Sequence, residues 1–114
     1  MNPVLRDVFA LDGAIRYVAL YRGGTLELEQ RGGLAGASDE SSDKYEELLV
    51  NPTLLKLAQQ RGDIDCGGAG FVVVGYGNFN QLVIALPDGH VSVCFEKEAN
   101  PISYVERIKH TVTS

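Results

Sequence analysis

The 114-residue chain holds few residues of the types that do covalent or metal chemistry: two cysteines, Cys66 and Cys94, and two histidines, His90 and His110. A nucleophilic thiol needs a neighbouring base and a lowered pKa. Cys66 stands ahead of Gly67-Gly68-Ala69-Gly70 in a connector, and Cys94 alternates with Val93 and Phe95 as a packed strand residue would, so both read as structural thiols. They belong to no C-x-x-C pattern, which argues against zinc or a disulfide scaffold and for reduced thiols. His90 follows a turn and reads as a solvated turn residue. His110 lies near a helix C-terminus, where the dipole favours a cation.

Asp39, Glu40, Asp43, Glu46 and Glu47 form an acidic cluster at a helix start. A metal would need these ligands to converge; the simpler reading is compensation of the helix dipole in solvent. The stretch DCGGAG precedes a strand, whereas phosphate-cradling loops follow a strand and open a helix. Tyr17, Tyr21 and Tyr76 could line a small-molecule cavity or pack as aromatics at sheet ends. Together these residues form no catalytic constellation and no cofactor loop, and the expectation is a protein that is not an enzyme and carries no cofactor or metal.

The totals set the frame for what positions these residues. One domain, 1–114, is long enough to bury roughly two thirds of its unfolded surface. A composition of 45% apolar and 22% charged residues is that of a globular protein. A net charge of −5 without a basic face disfavours nucleic acid as partner. Arg6 and Asp7 interrupt any signal-peptide core, and no apolar run approaches the ~20 residues of a membrane-spanning helix. A soluble, cytoplasmic protein without membrane insertion is expected.

Three Asn-Pro pairs, Asn2-Pro3, Asn51-Pro52 and Asn100-Pro101, read as helix starts, with Asn capping and Pro in the first turn. Val4, Leu5, Val8 and Leu11 follow the first at helical spacing, up to Asp12-Gly13. Between Ala14 and Tyr21 the period changes to two, placing Ile15, Tyr17, Ala19 and Tyr21 on one face and Arg16, Val18 and Leu20 on the other. Arg22-Gly23-Gly24 turns into a second strand, Thr25 to Gln30, and Arg31 to Ser42 reads as loop. Pro52 divides the next helical stretch into Ser42 to Leu49 and Pro52 to Arg61, with Gly62 as the stop; within a helix Pro costs about 3 kcal/mol. Leu54, Leu57 and Ala58 face one way there, and Leu55 widens the apolar arc. Three strands follow: Ala69 to Tyr76, Phe79 to Leu86 and His90 to Glu96. The Pro87-Asp88-Gly89 turn offers a preset φ, a local side-chain bond and a residue tolerant of positive φ. Ile102, Val105, Ile108 and Val112 make the stripe of a closing helix.

A hairpin and a three-strand meander joined by a helical crossover give one five-stranded antiparallel sheet in an α+β fold, with helices on both faces. If the first strand pairs with the last, the edges are Thr25 to Gln30, blunted by Glu27 and Glu29, and Ala69 to Tyr76, which carries no charge. An uncharged edge invites another strand, and a symmetric dimer is the commonest closed solution. The expected homodimer interface is Phe71, Val72, Val73, Val74 and Tyr76, with Leu54, Leu55 and Ala58 of the adjacent helix; the alternative is a monomer whose Arg31-to-Ser42 loop covers that edge.

The opening helix ending in LDG, the meander FVVVGYGNFNQLVIALPDGHVSV and the amphipathic helix from Pro101 resemble, over nearly the whole chain, the Roadblock (dynein light chain Roadblock-type) family. That resemblance implies a profilin-like αββαβββα layout, dimerisation through the third strand and the crossover helices, and regulation or scaffolding of a small Ras-like GTPase. Pro52 departs from the family's usually continuous crossover helix and predicts a broken or shortened one. The alternative function is a sensor that holds a small ligand between sheet and helices.

Overall fold

The computed structural model describes residues 2–33 and 39–113. Its five strands are β1 (Ile15–Arg22), β2 (Thr25–Gln30), β3 (Phe71–Gly75), β4 (Asn80–Leu86) and β5 (Gly89–Phe95). They form a single antiparallel sheet in the order β2-β1-β5-β4-β3, so the first strand pairs with the last and β2 and β3 are the edges. The helices are α1 (Pro3–Phe9), α2 (Glu40–Tyr45), α3 (Asn51–Asp65) and α4 (Val105–Thr113). A π-helical turn, Glu46–Val50, joins α2 to α3, and a 3₁₀ turn, Pro101–Tyr104, leads into α4. This is the expected mixed α+β fold. Residues 34–38 of the predicted loop lie outside the described residues, and Glu40 to Ser42, assigned to that loop, are helical.

The two faces of the sheet have different chemistry. Leu5 and Val8 of α1 and Val105, Ile108 and Val112 of α4 pack on Val18, Leu20, Leu82, Ile84, Val91, Val93 and Phe95, an apolar core. The residues of opposite parity, Tyr17, Ala19, Gln81, His90, Ser92 and Cys94, are also buried but largely polar. They lie on the crossover side, where α3 contacts β3, β4 and β5.

Three local readings need correction. Ile15 does not share a face with Tyr17: the β1–β5 register slips between them, and Ile15 joins the apolar core with Val18. The extra residue in that bulge is Arg16, and a bulge shifts every residue on one side of it to the opposite face. Gly89 is needed for close approach rather than for positive φ, since a Cβ there would sit 1.8 Å from the Tyr21 carbonyl oxygen. Asn51 does not cap α3, although Asn2 and Asn100 do cap their helices, accepting from Val4 N at 2.7 Å and Ile102 N at 3.2 Å.

The crossover is interrupted at Pro52 without being cut. Residues 46–50 widen into the π turn, with the Asn51 amide donating to the Glu46 carbonyl five residues back, and the helical path continues through the proline. Wider winding accommodates the missing Pro52 amide. The helix also passes Gly62 and ends at Asp65, where Gly67 and Gly68 take positive φ and the Gly68 amide returns to the Gly62 carbonyl. Leu55 is the buried leucine of α3, and Leu57, grouped by spacing with Leu54 and Ala58, is 60% exposed.

Candidate functional site

Among the described residues, no strand pairs with the outer side of β3. The Ala85 amide donates to the Gly70 carbonyl and the Tyr76 amide to the Phe79 carbonyl, which fixes the alternation of the β3–β4 ladder. Val72 and Val74 therefore bond inward to β4, and the amides and carbonyls of Phe71, Val73 and Gly75 point to the outer edge of the sheet. Phe71 and Val73 are exposed, while Val72 and Val74 are half-buried on the crossover side. Exposed leucines and isoleucine continue along the crossover: Leu48, Leu49, Leu57 and Ile64. Of the helix residues expected at an interface, Leu54 and Ala58 are half-buried, whereas Leu55 is turned into its own protein and is unavailable to a partner. Tyr76 is half-buried too, its hydroxyl donating to Glu46 Oε1 at 2.9 Å.

Beneath the π turn lies a buried polar cluster that the sequence reading missed. Glu47, assigned to solvent, is fully buried; it accepts from Tyr17 Oη at 2.8 Å and Asn51 Nδ2 at 3.0 Å. His90, assigned to a solvated turn, is 2% exposed, with Nε2 2.8 Å from Glu47 Oε1. Gln81 Nε2 donates to Ser92 Oγ at 2.9 Å in the same layer. Burial above all, then the Glu47 charge, pushes the Tyr17 hydroxyl far above its usual range, so it remains a donor. Two signals pointed here: the polar alternation of His90 and Ser92 along β5, and Glu47 and Asn51 one helical turn apart.

A cavity of about 140 Å³ opens beside this cluster, lined by Asp43, Glu46, Tyr17, Tyr76, Phe79 and Gln81 together with Arg16, Gln30, Ser42, Glu47 and Cys94. The Tyr76 and Phe79 rings lie 5.4 Å apart and tilted. Tyr76 has its pKa pushed up to about 12, by burial first and by its bond to Glu46. Burial holds the Glu46 carboxyl above its ordinary range, although its bond from Tyr76 opposes this. Tyr21 does not line the cavity; it packs against His90, with ring centroids 5.8 Å apart.

The acidic cluster thus divides. Asp39 caps α2 by accepting from Ser42 N at 3.0 Å, and Glu40 pairs with Lys44 in solvent at 3.4 Å. Asp43 and Glu47 are buried against the sheet instead. Among the described residues, no three His, Cys, Asp or Glu side chains are placed to hold a metal ion. Burial pushes the Cys94 thiol well up, and His90 lies four residues away on the same strand face, too distant to act as its base. Cys66 is exposed at the end of α3, its Sγ 3.4 Å from Asp65 Oδ1.

No protein-family model matches this chain, and no curated protein matches it significantly. The architecture defines the class, a mixed α+β domain built on one five-stranded antiparallel sheet. Among the described residues no helix is long and apolar enough to cross a membrane.

Proposed function

We propose that the protein is a non-catalytic Roadblock-like regulator that forms a homodimer through β3 and, as a dimer in the cytoplasm, binds a small Ras-like GTPase. The observation that carries the self-association is the β3 edge, unpaired among the described residues, an uncharged strand whose outward backbone groups belong to Phe71, Val73 and Gly75. A two-fold axis at Val73 sets Val73 opposite Val73 of the second copy and Phe71 opposite its Gly75. Every outward amide and carbonyl of the strand is then paired, and the Phe71 ring covers a glycine that has no side chain of its own. The exposed Leu57 and Ile64 of α3 supply apolar surface on the other side of the sheet for helix–helix contact. The GTPase as partner rests on the αββαβββα layout and the family resemblance.

Light scattering tests the self-association. The wild type is expected at twice the chain mass and Val73→Lys at the chain mass with its fold intact, because the lysine places a charge in the strand pair. A monomeric wild type overturns this reading. Titration of the dimer with Ras-like GTPases of its own cell, in both nucleotide states, tests the second half, and binding to none of them removes it. A second reading, a small-ligand sensor, is favoured by the cavity beneath the π turn.

A further inference from the structure

Residues 40–50, which are α2 and the π turn, pack mainly on each other and on α3, whereas α3 itself packs on β3, β4 and β5. Two adjacent carboxylates fasten this segment to the sheet. Glu47 accepts from Tyr17 Oη of β1 at 2.8 Å and lies 2.8 Å from His90 Nε2 of β5. Glu46 accepts from the Tyr76 hydroxyl, just past β3, at 2.9 Å, and the Gln81 amide of β4 bonds it as well. Between segment and sheet lies the cavity of about 140 Å³, with Ser42, Asp43, Glu46 and Glu47 on one wall and Tyr17, Gln81 and Cys94 on the other.

Fastening brings like charges together. Glu46 is half-buried and Glu47 has no exposure, and two carboxylates in such surroundings do not both ionise without cost. Asp43, buried and with an interaction of its own, adds its field. The cations nearby are engaged: Arg16 lies 3.0 Å from Glu96 Oε1, Lys44 pairs with Glu40 in solvent, and Lys97 bonds the Tyr76 carbonyl. Burial pushes Tyr17, Tyr76 and Cys94 upward, so they face the pair as neutral groups. His90 stands against Glu47, which leaves Glu46 among the neutral donors Tyr76 and Gln81. Burial first, then the Glu47 and Asp43 charges, hold the Glu46 carboxyl above its ordinary range against those two bonds. Once protonated it still accepts through its carbonyl oxygen.

We propose that residues 40–50 are a proton-operated strap over this cavity, closed on the sheet while Glu46 carries a proton and loosened when Glu46 and Glu47 are both ionised. The device is independent of dimerisation and of whether the cavity takes a ligand. Linkage fixes its sign: closure is favoured below the ordinary 4.5 and loses that advantage as pH rises through the raised value. Cys94 reports opening, since it is buried on the cavity wall and feels Asp43, Glu46 and Glu47 of the strap. Its alkylation by iodoacetamide at neutral pH is read in the full chain by peptide mass, with the exposed Cys66 as reference. Carboxyl-carbon NMR gives the Glu46 midpoint. Glu46→Gln should slow Cys94 tenfold for each unit by which that midpoint exceeds 4.5. Removing a negative charge beside the thiol would by itself speed the reaction, so slowing is diagnostic. Tyr76→Phe, which takes away a fastening bond, should speed Cys94 about tenfold or more. In wild type the amides of residues 40–50 should shift with the Glu46 midpoint. Cys94 reacting as fast or faster in folded Glu46→Gln, or a Glu46 midpoint at or below 4.5, overturns the proposal. So does a Cys94 rate that rises with urea as steeply as global unfolding. Strap amides that stay still through the Glu46 midpoint overturn it too, whether or not the variants fold.

Discussion

Removing the Glu47 carboxylate is the sharpest perturbation of the crossover side. Glu47 has no exposure and serves Tyr17 Oη, Asn51 Nδ2 and His90 Nε2, all within 3.0 Å. Glu47→Ala leaves these buried groups without their shared acceptor, and Asn51 Oδ1 is already without a partner. Breaking a buried pair of this kind costs about 3–5 kcal/mol, a large share of the roughly 5–15 kcal/mol that holds a domain folded. Urea unfolding followed by circular dichroism reads the loss. With a slope of about 1–2 kcal/mol per molar, the midpoint should fall by roughly 1.5–5 M. Glu47→Gln keeps an acceptor oxygen and should lose less, which keeps the series measurable if the alanine variant unfolds. Tyr17→Phe removes one donor to a charged acceptor and should cost about 1.5–3 kcal/mol alone, but much less in the Glu47→Ala background. A loss below about 1 kcal/mol for Glu47→Ala, or full additivity of the pair, would refute the reasoning that this cluster is a coupled buried network.

Two further outcomes follow from the same geometry. Gly89→Ala should destabilise by about 3 kcal/mol or more and loosen the β1–β5 ladder in NMR, since its Cβ collides with the Tyr21 carbonyl. Glu46 is held above the ordinary carboxylate value of 4.5 by burial, so its protonated form is favoured on folding. The stability it contributes is present below that value and is lost as pH rises through its raised pKa; Glu46→Gln should flatten this part of the stability–pH curve, and an unchanged curve would contradict the assignment.

The sheet was legible because strands read by period two and turns by Gly, Pro and Asp chemistry, and β1 to β5 fall where those signals put them. The bulge at Arg16 was not, because one inserted residue leaves a local pattern that still alternates on each side of it. Glu47 and His90 lie 43 residues apart and satisfy each other only after the crossover lies over the sheet, so each alone reads as solvated. The polar side chains on one parity of β5 were the available hint. Asn51-Pro52 imitates two true caps nearby; the helix already arriving from α2 makes a cap unnecessary and frees Asn51 for Glu47. Leu55 and Leu57 were misassigned because leucines and alanine surround this stretch of α3, and the face it buries is marked by Asn51, Leu55 and Gly62 instead.

The proposed homodimer makes its most direct claim about backbone groups that pair with no other strand among the described residues. Residue-resolved amide exchange at high protein concentration, in wild type and in Val73→Lys, reads them. The account predicts that the Phe71, Val73 and Gly75 amides exchange as slowly as those of Val72 and Val74 in wild type, and that in V73K the three outward amides lose protection while Val72 and Val74 keep theirs. Rapid exchange at Phe71 and Gly75 in the concentrated wild type, with Val72 and Val74 protected, would contradict it.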